Sequence, residues 1–321
     1  MGNDYYEIIK DSLKDKDFKI LPEEYRIENK KQGTIERLEY KVEDLEKSNN
    51  IKHLNLYLPY EYEATDKNKK YNVLYLMHGG GEDENLLFGG PGKNTELKNI
   101  LDNMIANCDI KPLIVVTPTF YGVKNDLKND EELCHVETID HSLPIIETKY
   151  FHNELINDLI PFVETKYNTY TSSANKEDLK ASREHRAFGG FSMGSVTTWY
   201  AFINCLDYFK YFIPLSGDCW ALAQKAEGNM AKETAEYLAK VAKDSGYAPK
   251  GYYLLCASGD LDIAYPNMKP QIDAMRELKD SFIYSSDLKE GNFYFIVGHG
   301  GIHNWHWINQ FIYNILPDLF N

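Results

Sequence analysis

The sequence predicts an α/β protein: a mostly parallel central sheet with helices on both faces. Three observations carry that reading. Short apolar runs, such as residues 71–77 (YNVLYLM) and 113–118 (LIVVTP), have the length and continuity of strands buried on both sides. Segments of helical spacing alternate with these runs. Glycine-containing stretches follow several of them, at 78–81, 216–218, 258–260 and 298–301, where such a sheet presents its C-terminal edge.

Along the chain, residues 1–33 read as an N-terminal arm or short helix ahead of one domain, 34–321. Alternation in 34–42 and 52–58 predicts two early strands, antiparallel to each other. The buried strand 71–77 runs into the glycine loop His78-Gly79-Gly80-Gly81. A helix is expected over 94–107 and a buried strand over 113–118. The polar stretch 121–150 is long for a routine connection, which makes it a candidate lid; a plain surface excursion is the alternative. Residues 154–167 read as a helix with Leu155, Leu159, Phe162 and Val163 on one face. Strand 186–191 is followed by helical spacing through Val196, Trp199, Tyr200 and Ile203. Strand 208–215, helix 230–243, strand 251–257, helix 268–279, strand 293–297 and helix 304–316 complete the alternation.

Composition narrows the function. With 43% hydrophobic and 26% charged residues among 321, the chain is globular. No apolar run approaches the roughly 18–20 residues of a membrane span. The net charge of −14 repels phosphate backbones and anionic membranes, so nucleic acid and membrane are excluded as expected partners and a neutral ester or carbohydrate fits better. The five cysteines, Cys108, Cys134, Cys205, Cys219 and Cys256, show no zinc spacing, and an odd number leaves at least one unpaired within a monomer. Residues 1–19 lack the apolar core of an export signal, so the compartment stays open.

The segment Gly190-Phe191-Ser192-Met193-Gly194 is G-x-S-x-G, between an apolar strand and an amphipathic helix. A serine on so sharp a turn holds strained backbone angles, and the residues two away on each side must be small. The hydroxyl is lifted clear of the sheet, and the next N–H faces outward at a helix start. Ser192 is therefore the candidate nucleophile and Met193 N–H a candidate oxyanion donor. A second donor is needed from the loop after 71–77, and Gly80 is the choice because no Cβ obstructs the approach. His78 is expected to hold that loop by hydrogen bonds. On this fold the acid and the base follow the serine in that order. Asp260 and Asp262 lie past strand 251–257, and His299, His303 and His306 lie past strand 293–297. The histidines lack a neighbouring carboxylate in sequence, which argues against a metal.

At these residues the chain resembles carbohydrate esterase family 1 of the α/β-hydrolase fold, the feruloyl and acetylxylan esterases, in particular those of rumen microbes and anaerobic fungi. The motifs are YLMHGGGEDEN, AFGGFSMGSVTTWY, FIPLSGDCW, SGDLDIAYPNM and HNWHWINQFIYNILPDLF, spread from Leu38 to Phe320. The resemblance implies Ser192 as nucleophile, Asp262 as acid, His303 as base, and Gly80 and Met193 as oxyanion donors. It also implies feruloylated or acetylated xylan fragments as substrates, no cofactor and an extracellular location. Trp220, past strand 208–215, and Trp307, beside the base, are the expected substrate-binding rings. Of Trp305 and Trp307, on opposite faces of a helix start, one is expected in the core. Oligomeric state is not legible. The other readings are an acetylxylan esterase, an esterase of S-formylglutathione or a siderophore, an acyltransferase, and a non-catalytic binding protein, against which the complete set of three residues argues.

Overall fold

An eight-stranded sheet organises the computed structural model, which describes residues 16–43, 51–122, 143–222 and 230–320. The strands are β1 (Thr34–Lys41), β2 (Ile51–Leu58), β3 (Asn72–Met77), β4 (Leu113–Thr117), β5 (Arg186–Phe191), β6 (Tyr211–Leu215), β7 (Tyr253–Gly259) and β8 (Phe293–Gly298). Their spatial order is β1-β2-β4-β3-β5-β6-β7-β8. The hairpin β1–β2 is antiparallel, with Leu38 opposite Leu54, and β2 meets β4 antiparallel. Every later pair is parallel.

The order reverses around β3. The chain leaves β3 for β4 on one side and returns as β5 on the other. The loops after β3 and β5 therefore open side by side, the crevice in which sheets of this type bind ligands.

Alternating side chains supply two cores. Val73, Tyr75 and Met77 of β3, with Phe212, Leu254 and Phe295, face one layer. That layer holds α1 (Leu143–Glu154), α2 (Ile160–Lys166), α3 (Met193–Asn204), α4 (Ala231–Asp244) and α5 (Tyr265–Arg276). Leu74 and Leu76, with Ile213, Leu255 and Ile296, face the other, which holds the helices Glu96–Ala106 and Trp305–Ile315. The expected two-faced sheet is what forms.

Several boundaries differ from expectation, each for a physical reason. The helix expected from residue 154 begins at Leu143, so the end of the candidate lid is helical; residues 123–142 lie outside the described residues. Between α1 and α2 the backbone widens to a π-turn, Leu155–Leu159, where Ile160 N–H reaches the Leu155 carbonyl. Pro161 follows directly; it has no N–H for an ordinary helical bond and its ring displaces a carbonyl of the preceding turn. Helix α5 starts at Tyr265, three residues early, because Pro266 sits in the first turn, where a missing N–H costs nothing.

The arm is not a separate appendage over its described part. Phe18 packs on Trp307 and Phe311, Leu21 is buried, and Tyr25 meets Tyr313 edge-on. Lys19 N–H donates to Asn314 Oδ1, and Asn314 Nδ2 donates to the Lys19 carbonyl, both at 2.7 Å. Residues 16–33 thus form a strap, whose first part holds the last helix while Arg26 to Gly33 bond the helix Glu96–Ala106. No helix among the described residues is long and apolar enough to cross a membrane.

One ion pair anchors the start of β5. Arg186 Nε and Nη2 donate to the two oxygens of Glu164 at 2.5 and 2.7 Å, and Tyr75 Oη donates to the same carboxylate at 3.0 Å. Arg186 Nη1 donates to the Leu179 and Tyr208 carbonyls, so one buried cation joins four segments. Removing one partner leaves the other charge buried and uncompensated. Glu164→Ala is therefore expected to destabilise the fold by about 3–5 kcal/mol, read from the shift of the urea unfolding midpoint.

Candidate active site

Ser192 ends β5 with φ 56° and ψ −114°, a left-handed backbone at a residue that carries a Cβ. Such a conformation costs on the order of 1–3 kcal/mol and persists only where its surroundings enforce it. Two glycines enforce it here. A Cβ on Gly190 would lie 2.6 Å from the backbone of Gly194, and one on Gly194 would lie 2.5 Å from the Met77 carbonyl oxygen. Strand β5 and α3 therefore cross at backbone contact, and the serine between them is turned outward. Ser192 N–H donates to the Leu215 carbonyl at 3.0 Å, which ties the turn to β6.

The loops past β7 and β8 reach the same point. His303 Nε2 lies 3.0 Å from Ser192 Oγ, and His303 Nδ1 lies 2.7 Å from Asp262 Oδ1. A carboxylate only accepts, so Nδ1 carries the proton and Nε2 is free to accept from the serine hydroxyl. The Asp262 side chain is fully buried, and Ala264 N–H donates to the same oxygen at 2.8 Å. The two loops are joined at Gly259 and Gly301: a Cβ on Gly259 would sit 2.2 Å from the Gly301 oxygen, and Leu261 N–H donates to that carbonyl at 2.9 Å.

This geometry separates residues that the sequence left as alternatives. Asp260 turns away from the serine and accepts from His299 Nδ1 at 3.0 Å and from Gly300 N–H at 2.7 Å. Those bonds, the His299 one foremost, hold its carboxyl below the usual aspartate range. His299 is exposed on the rim, and His306 is exposed on the outside of the last helix.

Gly80 and Met193 also come together, since a Cβ on Gly80 would meet Met193 Sδ at 2.7 Å. Neither N–H is bonded to another acceptor among the described residues. His78 orients the peptide between Gly79 and Gly80. Its Nδ1–H donates to the Gly79 carbonyl at 2.6 Å, and its Nε2 accepts from Thr119 Oγ1 at 2.9 Å. The carbonyl of Gly79 and the N–H of Gly80 belong to one planar trans peptide and point opposite ways, so holding one aims the other. Burial lowers the His78 pKa, which keeps the ring neutral and both bonds intact.

The aromatic residues require one correction. Trp307 is not at the serine: its ring packs on Phe18 and Phe311 and closely covers Gly298 and Gly301. Trp305 takes the place expected for Trp307, edge-on to Phe191 at 5.0 Å, with Phe191 in turn 4.4 Å from the His303 ring. The choice follows from the N-cap at Asn304, whose side chain accepts from Trp307 N–H and sets the helix rotation. Trp220 is half-buried past β6, and its side chain hydrogen-bonds the buried Asp218, whose carboxyl is raised by burial against that bond. Sequence reasoning missed Glu82, which bonds both Gly79 N–H and Trp305 Nε1–H; its place right after the glycine loop was the available signal. Cys108, Cys205, Cys219 and Cys256 are free thiols, and Cys134 lies outside the described residues. No cluster of metal-ligating side chains occurs among the described residues.

A family model described as "Putative esterase" matches residues 47–319. Endo-1,4-beta-xylanase Y of Acetivibrio thermocellus is 45% identical over 273 residues, covering 85% of this chain and 22% of that protein. The chain spans about a fifth of the length of the curated relatives it matches. Among solved structures, a serine-to-alanine mutant of the feruloyl esterase module from Clostridium thermocellum, complexed with sinapinate, is 41% identical with a TM-score of 0.80, covering 97% of this chain and 96% of that one. A ferulic acid esterase of Anaeromyces mucronatus, 21% identical with a TM-score of 0.66 over 95% of this chain and 98% of that one, shares the fold.

The elbow predicts a contrast between two glycines. Gly194→Ala drives a methyl into backbone carbonyls that no rotamer change can move, and should prevent folding or lower the thermal midpoint severely. Gly81, at φ 74° with nothing within 4 Å of a Cβ, should tolerate alanine at the left-handed backbone cost of about 1–2 kcal/mol. Equal midpoints for the two variants would contradict the crossing geometry.

Proposed function

We propose that the chain, which belongs to the esterase family, is a serine esterase of carbohydrate esterase family 1 releasing hydroxycinnamoyl groups, feruloyl above all, from xylan-derived cell-wall polysaccharide. It is a carboxylic ester hydrolase. The observation that carries the proposed mechanism is the chain of hydrogen bonds Ser192–His303–Asp262 at a strained elbow.

In that mechanism His303 Nε2 takes the Ser192 proton as Oγ attacks the ester carbonyl. Asp262 keeps the imidazole in the tautomer that can accept and stabilises the imidazolium that forms. The N–H groups of Gly80 and Met193 hold the negative oxygen of the tetrahedral intermediate. His303 returns the proton to the departing sugar hydroxyl, which leaves Ser192 acylated. Water, deprotonated by the same ring, then releases the acid and restores the serine.

Three points support a hydroxycinnamoyl acyl group over acetyl or a glutathione thioester. The module 41% identical to this chain was complexed with sinapinate, a planar phenolic acid. Trp220 offers an indole past the strand neighbouring the elbow, and a ring stacked there gains on the order of 1 kcal/mol. Glutathione is anionic, and a chain of net charge −14 slows its approach. A polymeric substrate that cannot enter a cell assigns the enzyme an extracellular place of work.

Ser192→Ala is expected to lower kcat by on the order of 10⁴-fold or more while the protein stays folded, measured on methyl ferulate with circular dichroism as the folding control. Asp262→Asn should lose several orders of magnitude and Asp260→Asn only a few-fold, because only the first carboxylate touches the base; the reverse ranking would reassign the acid. Substrate class is tested by kcat/KM on methyl ferulate, acetylated xylan and S-formylglutathione under one set of conditions. The ferulate ester should lead, and a tenfold advantage for the thioester would overturn the cell-wall reading.

A further inference from the structure

We infer that Glu82 is a positioning residue for the oxyanion donor, locking the glycine loop to the segment that carries the base; this rests on the serine-esterase reading above. Its two carboxylate oxygens face opposite ways. Oε2 accepts Gly79 N–H at 2.7 Å, three residues back in its own loop. Oε1 accepts Trp305 Nε1–H at 2.8 Å, from the helix start two residues past His303.

The loop is shaped for this return. Gly81 holds φ 74°, the left-handed step that brings residue 82 back over residue 79. A Cβ on Gly79 would lie 2.9 Å from Glu82 Oε2 and 3.3 Å from the Phe191 ring, so this position has little room for a side chain. Gly79 is then fixed on both sides. Its N–H is held by Glu82 and its carbonyl by His78, and that carbonyl shares a peptide plane with the Gly80 donor. On the far side, Trp305 packs on Phe191, and Phe191 on the imidazole of His303. Oxyanion donor and base are carried on loops more than 200 residues apart in sequence, and one carboxylate sets their spacing.

The chemistry requires an acceptor-only group. Two N–H donors converge on residue 82, and a carboxylate satisfies both. A glutamine has one acceptor oxygen, so it must turn its NH₂ toward one of the two donors. Glu82→Gln, close in size and shape, is therefore the sharp variant, and Trp305→Phe removes one donor while keeping an aromatic ring on Phe191.

The test measures kcat and KM of the full chain on methyl ferulate in a four-protein cycle: wild type, Glu82→Gln, Trp305→Phe and the double variant. Displacing a preorganised donor by a fraction of an ångström acts on the transition state, so Glu82→Gln should lower kcat about 10- to 100-fold with KM changed less than about threefold. In the Trp305→Phe background the glutamine oxygen can serve Gly79 alone, and the same substitution should cost less than about threefold. An equal loss in both backgrounds, or a loss expressed in KM, overturns the inference. If Glu82→Gln does not fold, Trp305→Phe decides alone: a lowered kcat at unchanged KM supports the bridge, and wild-type kcat refutes it. Full turnover by Ser192→Ala would instead strike the underlying reading, so the two failures are distinguishable.

Discussion

The backbone crossing between β5 and helix α3 is the constraint on which the site depends. Ser192 can hold a left-handed conformation only because its neighbours cannot relax. Gly194 lies under the Met77 carbonyl, Gly190 lies against Gly194, and the serine N–H is engaged by β6. The next strand end repeats the device. Ser216 also has positive φ, at 53°, and its N–H donates to the Ala257 carbonyl at 2.9 Å. The Gly217 carbonyl between them accepts both Ser195 Oγ and Trp199 Nε1–H, binding α3 to the sheet from the far side. Buried hydrogen bonds contribute about 1 kcal/mol each and cost more when broken, so several of them offset the strain of one serine.

Around that crossing, electrostatic order comes from burial. Asp262 is enclosed and spends one oxygen on His303 and Ala264, so its charge has a single strong partner among the side chains and the imidazole has a single orientation. Asp260, two residues earlier and facing solvent, binds a rim histidine and a rim amide instead. Identical chemistry two residues apart thus gives one carboxylate joined to the serine and one that braces a loop. At the other end of β5 the Arg186–Glu164 pair holds the strand start. The two ends of a six-residue strand lie roughly 20 Å apart, so the fixed charge there steadies β5 without acting on the serine.

What the sequence made legible were features with short-range causes. Buried strands read as apolar runs, the elbow as two glycines flanking a serine, and the loop beside it as glycines after β3. Features set by long-range packing were not legible. Asp260 and Asp262 both follow β7, and only the contact of Gly259 with Gly301 decides which faces His303. Trp305 and Trp307 differ by helix rotation, which the Asn304 cap determines. The role of Phe18 and Lys19 could not be read because their partners lie almost 300 residues away. Glu82 looked like one acidic residue among several; its use depends on an indole at the opposite end of the chain.

The strap formed by residues 16–33 also brings the two ends of the described chain together. Lys16 is ion-paired with Asp318, so the two ends of the described chain meet. Asp318 in turn accepts from Tyr294 Oη, in the second position of β8, whereas the loop carrying His303 leaves the opposite end of that strand. The two ends of the described chain therefore meet at the end of β8 remote from Ser192. The Lys16–Asp318 pair thus closes the described chain into a ring whose clasp lies on the side of the sheet away from the serine.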